Sequence, residues 1–89
     1  MSEKAELPEA IEGYSIKPTY LVTITANIKN EEVEIYYEEC SSEVIARTII
    51  KKFFEEKETL MKYKSDGAVF FDAVISISET TIKAFRHFV

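Results

Sequence analysis

From Thr19 to Glu38 the chain alternates apolar and polar residues with little interruption, and that period of two constrains the fold more than any other feature. Tyr20, Val22, Ile24, Ala26 and Ile28 alternate with Leu21, Thr23, Thr25 and Asn27; Val33, Ile35 and Tyr37 then alternate with Glu32, Glu34, Tyr36 and Glu38. Side chains on a strand point to opposite faces in turn, so the pattern specifies a β-hairpin with one face buried and one face exposed. The expected turn falls at Lys29 to Glu31, where Asn30 tolerates the left-handed backbone that a tight connection needs. On this alternation Glu32, Glu34, Tyr36 and Glu38 stand together on the outward, acidic face.

A period near 3.6 replaces the period of two after Cys40. Ala46, Ile49, Ile50, Phe53, Leu60 and Met61 fall three or four residues apart and define the apolar stripe of one packing helix, with Lys57 interrupting it one turn before Leu60. Ser41 or Ser42 supplies the N-cap hydroxyl, and Glu43 suits the positively polarised first turn. Outward of the stripe, Glu43 with Arg47, Lys51 with Glu55, Lys52 with Glu56 and Glu58 with Lys62 are spaced for helical ion pairs, which mark a solvated side. Ser65, Asp66 and Gly67 then turn the chain.

The third strand carries Val69, Phe71, Ala73, Ile75 and Ile77 inward, which leaves Phe70 and Val74 on a nominally outward face that one helix cannot cover. The last ten residues fit either a strand returning from a turn at Ser78 to Thr80 or a helix; their β-branched and aromatic content favours the strand. The expected architecture is α+β, ββαββ with ββαβα as the alternative: an antiparallel sheet packed on one amphipathic helix. Residues 1–18, with Pro8, Gly13 and Pro18 among four glutamates, read as a flexible arm with at most a short helical turn near Pro8, and residues 19–89 as the single domain.

Composition narrows the function classes. With one Cys and one His there is neither a disulfide framework nor a Cys/His zinc set, which fits a reducing compartment. The first residues match no signal or transit peptide, and no apolar run approaches the roughly 18 residues of a membrane span. The expected location is the cytoplasm. Fourteen Glu, two Asp and no Gln suit a hot environment and are also what an AT-rich genome writes. The first forty residues hold nine acids against three bases, a net of −6, and the remainder, at +1, brings the chain to its formal −5. An acidic surface repels phosphate and favours basic protein surfaces.

Catalytic constellations are not evident. His87 has no nearby nucleophile or orienting acid, and Cys40 lies among Glu38, Glu39 and Glu43, which oppose thiolate formation. An enzyme would need Cys40, His87 or Asp72 brought together across subunits. Strand spacing of about 3.3 Å per residue spreads the β-hairpin glutamates too widely for one hard cation. No cofactor motif is present, since the two glycines make no phosphate loop. The expected function is that of a small acidic protein-interaction or accessory protein, homodimeric through Phe70 and Val74, that docks a basic protein surface through Glu32, Glu34, Tyr36 and Glu38. One form of it is an inhibitor that imitates phosphate spacing, and small acidic accessory proteins of viruses and mobile elements share this general composition. The alternative is a nucleic-acid-binding accessory factor that uses Arg47, Lys51 and Lys52 on the helix.

Overall fold

A computed structural model describes residues 18–89; the readings of a flexible arm and of a short helical turn near Pro8 fall on residues 1–17, outside the described residues. The elements are β1 (Tyr20–Ile28), β2 (Glu31–Cys40), α1 (Glu43–Glu55), α2 (Lys57–Ser65), β3 (Ala68–Ile77) and β4 (Thr80–Phe88). They form one fully antiparallel sheet in the order β2-β1-β3-β4, with the helical layer between the two hairpins in sequence. The ββαββ plan therefore holds, and the C-terminal stretch is a strand.

Both hairpins turn on two residues with positive φ, Lys29 and Asn30 (54° and 67°) and Ser78 and Glu79 (48° and 67°). Paired positive φ values define the turn whose twist matches that of the flanking strands. Glu79 gains nothing from this backbone, whereas glycine adopts it freely. Glu79→Gly is expected to raise stability by about 0.5 to 1 kcal/mol, the left-handed cost less the added chain entropy, seen as a higher denaturant midpoint at unchanged slope.

One continuous helix was expected, and two are present. The break falls at Glu56, whose ψ of 84° leaves the helical range while its N–H donates to the Phe53 carbonyl at 3.1 Å. Its own carbonyl accepts from the Leu60 N–H at 3.2 Å and so starts α2. Lys57 explains the interruption. In an unbroken helix it would occupy the next core position after Phe53, and the break turns the apolar side of α2 back to the sheet at Leu60 and Tyr63. Met61 is correspondingly exposed rather than part of the stripe. Ser42 is the N-cap, its Oγ accepting from the Ile45 N–H at 3.2 Å. Of the four spaced pairs, Glu43–Arg47 is the one that closes among the described residues, at 2.9 Å.

The core lies between the helices and one sheet face. Val22, Ile24, Ala26, Ala68, Phe71, Ala73 and Ile75 from β1 and β3 meet Ala46, Ile50 and Leu60, with Phe53, Phe54 and Tyr63 packed around them. α1 crosses β1, β2 and β3, and α2 contacts β3. Four of these ten buried residues are alanines, so the buried volume is modest and Phe71, wholly inaccessible, supplies much of it.

Three bulges set which side chain faces which way. Between Asn27 and Ile28 the pairing with β3 skips Val69, so Ala68 takes the inward place and Val69, expected in the core, is 57% exposed. Ile82 is the extra residue of β4. Ile35 is the extra residue of β2. A bulged residue and its neighbour point to similar sides, and the alternation beyond it is inverted.

Candidate functional site

The Ile35 bulge divides the residues that simple alternation had grouped. Glu32 pairs with Asn27 and Glu34 with Thr25, which places both on the side away from the helices. Tyr36 pairs with Ile24 and Glu38 with Val22, both buried core residues, so Tyr36 and Glu38 stand on the helix side. Tyr36 packs its ring 5.4 Å from that of Phe53. The expectation that Glu32, Glu34, Tyr36 and Glu38 share one face is thus corrected. The inversion lets Ile35, Tyr36 and Cys40 all pack against the core, and it turns Tyr37, expected inside, outward to 49% exposure.

The open face, which no other described element covers, runs in rows across four strands. Glu39, Leu21, Ser76 and Thr81 form one row; Tyr37, Thr23, Val74 and Ala84 the next; then Glu34, Thr25, Asp72 and Arg86; then Glu32, Asn27, Phe70 and Phe88. Phe70 and Val74 do face outward as expected, and they belong to the same face as Glu32 and Glu34. Four carboxylates and one guanidinium give this face a formal charge of −3.

Arg86 is fixed in place. Its Nε and Nη2 donate to the two carboxylate oxygens of Asp72 at 2.7 and 3.1 Å, and its guanidinium carbon lies 3.9 Å from the centroid of the Phe70 ring. The two-point bond to Asp72 holds the guanidinium protonated above its ordinary range. Phe88, 67% exposed, meets Phe70 edge to face at 5.8 Å. Between these groups lies a polar depression of about 240 Å³ lined by Thr25, Asn27, Glu32, Phe70, Asp72 and Arg86. Thr25 Oγ1 donates to Glu32 at 3.2 Å, and the Tyr37 hydroxyl donates to Glu39 at the same distance.

On the helix side Tyr36, Glu38, Ile49, Lys52, Phe53 and Glu56 line an open groove of about 400 Å³ between β2 and α1. The Tyr36 hydroxyl donates to Glu38, and that bond, aided by partial burial and the carboxylate charge, pushes the phenol above its usual range. A raised phenol pKa stabilises the fold below the ordinary tyrosine value of about 10 and ceases to do so as pH climbs through the folded-state value. Glu38→Gln is expected to shift part of the tyrosinate absorbance titration to lower pH, and an unchanged titration would separate Tyr36 from Glu38.

Arg47, Lys51 and Lys52 do not form one track. Arg47 bonds Glu43 and lies 5.3 Å over the Phe85 ring, sharing a hollow with Lys51 on the β4 side. Lys52 instead faces the β2 groove beside Glu38 and Glu56.

Nor do Cys40, His87 and Asp72 meet within one chain. Cys40 ends β2 beside Tyr20, whereas His87 lies on the opposite edge strand beside Phe71 and stacks on Phe54 at 4.7 Å. Asp72 is on the other sheet face and engaged with Arg86. Among the described residues no group of three or more His, Cys, Asp or Glu is placed to hold a metal ion, and no helix is long and apolar enough to cross a membrane.

Tyr37, Glu39, Arg86 and Phe88 are the residues of the open face that alternation alone missed, whereas Asp72 alternates outward with Phe70 and Val74. Without the Ile82 bulge, a hairpin turning at Ser78 and Glu79 would set Asp72 against Phe85, so the Asp72–Arg86 pair has no signal in sequence spacing. A scan against protein-family models finds no match, and comparisons with curated proteins and with solved structures find none either.

Proposed function

We propose that this is a small accessory protein of the cytoplasm, without catalytic activity of its own, whose open sheet face docks a basic protein surface. The observation that carries the reading is the composition of that face: Glu32, Glu34, Glu39 and Asp72 around Tyr37, Phe70 and Phe88, with Arg86 already engaged by Asp72. Exposed aromatic anchors ringed by charge are the usual make-up of an interface that gains affinity at its centre and orientation at its rim. Its negative charge repels phosphate and is neutralised by lysine or arginine, so the face favours protein over nucleic acid.

Homodimerisation through Phe70 and Val74 would stack two such faces and confront four carboxylates with four. A basic partner neutralises what a second identical face would concentrate. The face is therefore assigned to the partner. Inhibition by imitation of phosphate spacing remains one form of the same role, with Glu32 and Glu34 as the spaced charges in place of the four-residue set.

Affinity capture of the full chain from native lysate, with and without nuclease, tests the reading. A basic protein retained after nuclease treatment and released by added salt is the expected result. Recovery that depends wholly on nucleic acid would overturn it and return the weight to Arg47, Lys51 and Lys52.

A further inference from the structure

The sheet ends in two edge strands of opposite charge. β2 carries Glu31, Glu32, Glu34, Glu38 and Glu39 and no base, whereas β4 carries Lys83 and Arg86 and no acid. Among the described residues no strand pairs with the outer side of either. Unpaired edges offer rows of N–H and C=O groups to another strand, so they are the natural place for a second copy to add.

Of the three possible edge pairings, two copies of β2 would set acids against acids and two copies of β4 bases against bases. The pairing of β4 with the next copy's β2 brings unlike charges together. Direction agrees as well. Because every neighbouring pair in the order β2-β1-β3-β4 is antiparallel, a copy displaced sideways along the sheet lays its β2 antiparallel to β4 and keeps its helices on the same side.

The existing rows then supply a register. Lys83 shares a row with Ile75, Val22 and Glu38; Phe85 with Ala73, Ile24 and Tyr36; Arg86 with Asp72, Thr25 and Glu34. Extending those rows unshifted sets Lys83 against Glu38, Phe85 against Tyr36 and Arg86 against Glu34 of the neighbour. An ion pair on each face and an aromatic pair between them fall into line at once. We propose that the protein associates with itself head to tail, the β4 edge of one copy pairing with the β2 edge of the next to continue a single antiparallel sheet. Such a contact is heterologous, so it propagates into an open chain or closes into a ring, and it lays successive open faces side by side. The row of Arg86 and Glu34 belongs also to the open face, so the test uses the row of Lys83 and Glu38, which lies on the helix side.

The test is charge exchange across one row. Analytical ultracentrifugation of the full-length protein over a concentration series should show self-association that weakens as salt is raised. Glu38→Lys and Lys83→Glu, each alone, should weaken it about tenfold, and an equimolar mixture of the two should restore it. In that mixture alternating copies pair the native Lys83 with the native Glu38 at one junction and the introduced acid with the introduced base at the next. Lys83 makes no ion pair among the described residues, so Lys83→Glu with its salt dependence carries the test should Glu38→Lys fail to fold. A wild-type protein that stays monomeric throughout, association that neither variant alters, or a mixture no better than its components would each overturn the proposal. Retained binding of the basic partner by both variants keeps this outcome separate from that of the open face.

Discussion

Phe71→Ala is expected to cost about 3 to 5 kcal/mol, enough to leave much of the population unfolded. A chain of this size holds only roughly 4 to 13 kcal/mol in all. Phe71 is wholly inaccessible and is the largest such side chain, with Phe54, Tyr63 and His87 rings around it at 6.0, 6.2 and 6.5 Å. Its alanine neighbours Ala26, Ala68 and Ala73 cannot close the space by rotating, because they have no further side chain to rotate. Val69 is the control. Strict alternation would count it in the same core row, but the bulge opposite Asn27 and Ile28 leaves it exposed, so Val69→Ala should fall within about 0.5 kcal/mol of wild type. Chemical denaturation followed by circular dichroism checks both, and equal losses at the two positions would refute the bulged register.

Glu34→Lys is expected to weaken binding of the basic partner by about 2 kcal/mol or more, roughly thirtyfold in Kd, while Glu38→Lys leaves it nearly unchanged. On unbroken alternation the two glutamates would be equivalent, four residues apart on one face. The Ile35 bulge makes them differ: Glu34 lies in the row of Thr25, Asp72 and Arg86 on the open face, and Glu38 lies beside Tyr36 and Lys52 on the helix side. A lysine at position 34 adds a like charge where the partner presents its own bases, and it lies across Thr25 from the Asp72–Arg86 pair. Titration calorimetry with the captured partner distinguishes the outcomes. Equal losses would return Glu38 to the docking face, and equal indifference would remove β2 from it.

The antiparallel α+β plan, the first hairpin, a helix start at Ser41 or Ser42 and the outward placement of Phe70 and Val74 were legible in the residues alone, and composition favoured the second hairpin over a terminal helix. Each follows from a local cause: a period of two or 3.6, a capping hydroxyl, or residues that accept left-handed backbone. Within a bulge-free stretch such as β1, where Val22, Ile24 and Ala26 are buried between half-exposed neighbours, alternation reads the faces correctly. Everything downstream of an irregularity depended instead on how the elements pack. Ile35, Val69 and Ile82 are ordinary β-strand residues with nothing local to mark their extra place in the ladder; Ile35 and Ile82 exchange the faces beyond them, and Val69 exchanges the place of Ala68 before it. The break at Glu56 is of the same kind, since Lys57 signals an interruption in the apolar stripe while the rotation that restores Leu60 to the core is set by contact with the sheet. Faces are inherited along a strand one residue at a time, so a single inserted residue, invisible in composition, decides which glutamates stand together.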